Sequence, residues 1–111
     1  MDKYKSVIVK QAEEDIAETL EYISTKLFNP AAAQNLLYEI IEAVERISTF
    51  PYSMPTLKSD KIQTDIEYRR VEVKNFALIY KVVEEAKEVR IMAVFYGASD
   101  VVSRIIKRSE D

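Results

Sequence analysis

The sequence predicts an α+β domain of two layers, with an N-terminal strand and a helical hairpin packed on one face of an antiparallel sheet. Three observations lead there. Between Gln11 and Thr49 the apolar residues recur at spacings of three and four, the period of helices with one buried stripe. Between Tyr68 and Tyr96 they fall in short β-branched and aromatic blocks separated by polar turns. A chain of 111 residues has room for one core, so the hairpin stripe must be buried on that sheet. The expected order is β-α-α-β-β-β-α, in a single domain spanning 1–111.

Each element has its own warrant. The run YKSVIV, Tyr4–Val9, is short and β-branched, and reads as a first strand. From Gln11 the period changes: Ile16, Leu20, Ile23 and Leu27 form one stripe. Glu13, Glu14 and Asp15 crowd the first turn, where carboxylates oppose the positive end of the helix dipole. Asn29 suits an N-cap, and Pro30 the first helical position, where a missing N–H costs nothing. The second stripe is Ala33, Leu37, Ile40, Val44 and Ile47, widened by Leu36 and Ile41; Pro51 stops the helix near Thr49. The link between the helices is only a few residues, so they form an antiparallel hairpin.

A loop follows, PYSMPTLKSDKIQTDIE. The strands are then Tyr68–Val73, Phe76–Val83 and Val89–Tyr96. Lys74-Asn75 makes the first turn, with Asn suited to a positive φ. The middle segments are apolar at consecutive positions, as expected when both faces of a sheet are covered. Gly97 ends the sheet, and Ser99 is placed to cap a last helix over Asp100–Arg108. Val101, Val102, Ile105 and Ile106 give that helix an apolar side for the sheet edge or a partner, and Arg104, Lys107 and Arg108 give it a basic one.

Composition narrows the chemistry. The chain has no cysteine and no histidine. Disulfides, thiolate or histidine metal sites, and Ser-His or Cys-His nucleophiles are thereby excluded. Any acid or base must be Lys, Arg, Tyr, Asp or Glu. No apolar run nears the roughly 20 residues that span a bilayer, and the start has no signal-peptide pattern, so a cytoplasmic protein is expected. Net charge is −3, with residues 1–57 at −4, residues 58–108 at +3, and Glu110 and Asp111 adding −2. The second half is therefore where an acidic or anionic partner is expected.

In order along the chain stand Phe50-Pro51 with Pro55, Tyr68-Arg69-Arg70, Ile79-Tyr80-Lys81-Val82 and Phe95-Tyr96-Gly97-Ala98-Ser99-Asp100. This ordered set, from Tyr4 to about Lys107, resembles the RelE/ParE superfamily of type II toxin–antitoxin toxins. The resemblance implies a small growth-inhibiting toxin with no cofactor, neutralised by a cognate antitoxin. RelE-like members cut mRNA on the ribosome, and ParE-like members inhibit DNA gyrase without known chemistry.

Metal-free RNA cleavage through the 2′-hydroxyl needs a proton acceptor, cations for the phosphate charge and a donor for the leaving oxygen. Against the RelE-like pattern, Ala77 and Ser99 stand where arginines are usual, and Tyr96 stands for histidine. The catalytic candidates that remain are Arg70, Lys81 and Tyr96. The binding candidates are Arg69, Arg70, Lys81, Arg90, Arg104 and Lys107. Strand alternation sends Arg69 and Arg70 to opposite faces; Arg69 goes with Val71 and Val73, and Arg70 with Tyr68 and Glu72. Arg69 is expected to brace the sheet's end against a helix carboxylate, and Arg90 to pair with Glu84 or Glu85. Lys81 shares a face with Ala77 and Ile79, which is expected to be the open one. The resemblance leans toward a ParE-like, binding-type inhibitor. A RelE-like endonuclease and a decayed toxin kept as an interaction module stay open.

Overall fold

The computed structural model describes residues 3–57, 66–97 and 100–109. In chain order these form β1 (Lys5–Ile8), α1 (Lys10–Glu21), a π-helical turn (Tyr22–Lys26), α2 (Pro30–Thr49), β2 (Tyr68–Val73), β3 (Phe76–Val83), a 3-10 turn (Glu84–Ala86), β4 (Glu88–Tyr96) and α3 (Val101–Ser109). The α+β order is the expected one. The proposed Ser99 cap and most of the loop before β2 lie outside the described residues.

The helical hairpin forms for the reasons its sequence offers. Asn29 Oδ1 accepts the Ala32 N–H at 3.0 Å, and Pro30 occupies the first helical position. α2 buries Ala33, Leu36, Ile40, Ala43 and Ile47, leaving Leu37 and Ile41 at the margin of its stripe. In α1, Ile16, Leu20 and Ile23 reach the core, but Leu27 is 55% exposed. The cause is the π-helical turn: one extra residue per turn rotates everything after it off the stripe.

The sheet runs β1-β4-β3-β2. β2, β3 and β4 are antiparallel neighbours, whereas β1 lies parallel to β4, with Ile8 beside Ile91. The sheet is therefore mixed, because the chain leaves β1 through the hairpin layer and returns to it only as its last strand. The β2–β3 turn takes its positive φ at Lys74 (55°) and not at Asn75. A register shift puts Ile79 opposite Ala93 but Tyr80 opposite Ile91, leaving Met92 as the extra residue of a bulge. Gly97, at φ 80°, carries its N–H back to the Asn75 carbonyl at 2.8 Å.

Apolar side chains bury on both faces. Val71, Val73, Leu78, Tyr80, Val89 and Ile91 meet the hairpin. Ala77, Ile79, Ala93 and Phe95 meet Val101 and Ile105 of α3. α3 thus lies over the second face, where it covers part of the side expected to be open, and its Arg104 and Arg108 also reach the edge of β4 that β1 leaves unpaired. Double coverage explains why β3 is apolar at consecutive positions. No helix among the described residues is long and apolar enough to cross a membrane.

Candidate functional site

The part of the second face that α3 leaves uncovered carries cations. Strand register sets Tyr68, Lys81 and Arg90 side by side on β2, β3 and β4, with Arg70 opposite Ile79 one row away. Lys81 and Arg90 are direct cross-strand neighbours of like charge, a pairing that costs stability. Carboxylates temper the row from its own strands. Arg90 Nε donates to Glu88 at 3.0 Å, in place of the expected Glu84 or Glu85, and Arg70 Nε donates to Glu72 at 2.5 Å. Among the described residues no carboxylate pairs with Lys81.

The other candidates lie elsewhere. Arg69 is on the hairpin side, where it donates to the Met54 carbonyl at 2.6 Å, pairs with Glu67 at 2.5 Å and lies over the Tyr52 ring. Its carboxylate belongs to the segment before β2 and not to a helix. Tyr96 also faces the hairpin side, edge-on to Phe76 at 5.4 Å, near the tip of the hairpin. Arg70 and Lys81 therefore share a face that Tyr96 does not reach. Arg104 stacks on Phe95 and donates to the Tyr96 carbonyl at 2.8 Å; exposed Lys107 lies beside it in a cleft between α1 and α3. Among the described residues no three carboxylates converge to hold a metal ion.

Two clusters were not legible in the sequence. Arg108 forms a two-pronged bridge to Asp15 (2.8 and 3.0 Å), and Asp15 Oδ2 also accepts the Val94 N–H at 3.0 Å. These groups are 79 to 93 positions apart, a separation that carries no local pattern. The second cluster is Glu84, which accepts from Lys87, from the Tyr52 hydroxyl at 2.5 Å and from the Tyr4 hydroxyl at 2.8 Å. Lys87, then the two phenols, hold the Glu84 carboxyl down at about 2. The same carboxylate, followed by desolvation, pushes the Tyr52 phenol up to about 12. In the sequence Glu84 was one charge in a charged turn.

The motifs behind the resemblance prove to be one structural knot. Tyr80 is fully buried and donates its hydroxyl to the Pro51 carbonyl at 2.8 Å, joining Ile79-Tyr80-Lys81-Val82 to Phe50-Pro51. Arg69 ties Tyr68-Arg69-Arg70 to the same loop through Met54.

Comparisons with known proteins agree with this architecture. No curated protein sequence matches the chain. Solved structures similar to it include the chromosomal ParDE toxin–antitoxin system of P. aeruginosa, at TM-score 0.67 and 15% identity over 86% of this chain and 98% of that one. The RelBE2 toxin–antitoxin complex of Mycobacterium tuberculosis is similar at TM-score 0.57 and 16% identity, over 89% and 97%. The archaeal RelE–RelB complex of Pyrococcus horikoshii is similar at 0.50 and 15%, over 88% and 99%. At these identities the likeness is one of fold. The family model for the ParE toxin of type II toxin–antitoxin systems matches residues 7–101, nearly the whole ordered set of elements, and the chain therefore belongs to the ParE toxin family.

Proposed function

We propose that this type II toxin arrests growth by binding DNA gyrase through the cation-bearing sheet face, with Arg70, Lys81 and Arg90 as its charged contacts. One observation carries the reading: Tyr96 lies on the opposite side of the sheet from Arg70 and Lys81. An endonuclease needs its cations and its proton donor around one phosphate. A binding surface needs only complementary charge and shape, which Lys81 and Arg90 supply in spite of the cost of placing them together.

A cognate antitoxin neutralises the toxin in the cytoplasm, where gyrase works. The described structures of similar fold are named as toxin–antitoxin systems or complexes, which supports such a partner.

The test is induction in cells alongside a supercoiling assay with purified gyrase. Filamentation with inhibited supercoiling and intact transcripts is expected. Replacing Arg70 and Lys81 together by Ala should abolish both effects while the circular dichroism spectrum stays native. Primer extension that finds transcripts cut after induction would replace this reading with the mRNA-endonuclease one. A chain that leaves growth unchanged would favour a decayed toxin.

A further inference from the structure

The tip of the helical hairpin holds apolar side chains in water. Tyr22, Leu27 and Phe28, at the link between α1 and α2, are 56%, 55% and 87% exposed, and Tyr96 on the same tip is 66% exposed. Two local departures from a regular helix put them there. The π-helical turn rotates Leu27 off the buried stripe. Phe28 then ends the turn at φ 51°, in the left-handed region. The Asn29 N–H closes that end on the Ile23 carbonyl at 3.1 Å, a cap whose left-handed position glycine usually takes. A bulky side chain is strained there, and the strain holds an aromatic ring where burial within its own chain returns nothing. Both chain neighbours of Phe28, Leu27 and Asn29, line a cleft of about 920 Å³, and Thr19, Tyr22, Phe76 and Tyr96 are among its other walls. A protruding ring and an aromatic cleft thus lie side by side on one patch.

We infer that this tip is a self-docking surface, through which two copies of the chain pair about a two-fold axis. Each Phe28 enters the other copy's cleft, against Phe76 and Tyr96. A two-fold contact requires knob and hole on a single patch, because the same surface serves both sides. The charges match as well. Glu18 lines the cleft, and exposed Lys26 precedes the ring by two positions. The rotation carries each Lys26 toward the other copy's Glu18. Area sets the strength. Three aromatics and a leucine, each more than half exposed, offer on the order of 500 Å² per copy. The pair together buries about 1,000 Å², the low end for a specific interface, so it exchanges with monomer at micromolar concentrations. Arg90 lies six positions before Tyr96 on β4, roughly 20 Å away, so the paired tips leave Lys81 and Arg90 uncovered. The pairing holds whatever the toxin's target.

Sedimentation equilibrium of the full chain, from about 1 to about 300 µM, should fit a single monomer–dimer equilibrium. Phe28→Gly removes the ring and relieves the left-handed strain. It should remain a monomer over the whole range. Its melting temperature should equal or exceed that of the unsubstituted chain, compared at about 1 µM where neither is paired. Thr19→Arg keeps the ring but fills the cleft from the surface of α1, with the better helix former of the two residues. It should weaken pairing by about tenfold or more with a native circular dichroism spectrum. If Phe28→Gly does not fold, Thr19→Arg decides alone. An unsubstituted chain that stays monomeric, species that grow beyond two copies, or a variant that pairs undiminished would overturn the proposal. So would a folded Phe28→Gly chain of lower stability, since the ring would then be packing within its own chain. A monomeric chain whose Phe28→Gly form no longer arrests growth would assign the tip to the toxin's target instead.

Discussion

At the scale of single residues, the family motifs hold the chain together before they recognise anything. Tyr80 sits on the central strand with no exposed surface, and its one polar atom reaches the Pro51 carbonyl. A buried hydroxyl needs such a partner, and burial pushes the Tyr80 phenol up from its ordinary value. Tyr80→Phe leaves the buried Pro51 carbonyl unpaired. It should cost about 1 to 3 kcal/mol in urea unfolding with an unchanged fold. Arg69 has the companion role. Mostly buried, it spends its donors on Met54, Tyr52 and Glu67, so it is a brace and not an open contact. The tandem arginine is thus divided: Arg69 secures the loop, and Arg70 lies on the opposite face, about four-fifths buried and paired with Glu72.

At the scale of elements, α3 is held by little apolar surface and by one ionic latch. Val101 and Ile105 are its buried side chains on the sheet. The rest of its hold comes from Arg104 and Arg108 stacked on Phe95 at about 5 Å, and from the Arg108–Asp15 bridge. Asp15 also satisfies the Val94 N–H, and Arg108 and Arg104 satisfy the Met92 and Tyr96 carbonyls. These are β4 backbone groups beyond the end of β1, and side chains from both helices take the place of a missing strand. Asp15→Asn breaks the bridge with both partners about four-fifths buried, and should cost about 2 kcal/mol. Amide exchange should rise in α3 and at Val94, with α2 unchanged. Uniform acceleration across the chain would mean that the bridge supports the whole fold and not α3 in particular.

At the scale of the whole molecule, charge is sorted by layer, and one carboxylate joins three distant segments. Glu84, in the β3–β4 turn, takes hydrogen bonds from Tyr4 before β1 and Tyr52 after α2, and pairs with Lys87. Its folded pKa of about 2 lies below the unfolded value of about 4.3, so it stabilises the fold above roughly pH 5. That contribution fades as pH falls toward 2. Tyr52 has the opposite sign: raised to about 12, it favours the fold below pH 10 and less so as pH climbs from 10 to 12. Glu84→Gln should therefore lower the melting temperature at pH 7 and much less at pH 3. An equal deficit at both pH values would show that Glu84 acts through something other than its charge.

What the sequence by itself determined was set by local physics. Helix period, the Asn29-Pro30 start, the Pro51 stop and β-branched runs are written in neighbouring residues, so element order and fold class follow from them. The faces of Arg69 and Arg70 were equally legible, because alternation along a strand needs no partner. The tertiary structure alone decided the rest. A π-helical turn took Leu27 off its stripe, and β1 joined the sheet parallel to β4. It also put α3 over the second face and sent Tyr96 away from Lys81. Asp15 found Arg108, and Glu84 found two tyrosines, across separations of 32 to 93 positions. Such contacts depend on where whole elements dock, which is fixed by the total burial of apolar surface and not by any short stretch of chain.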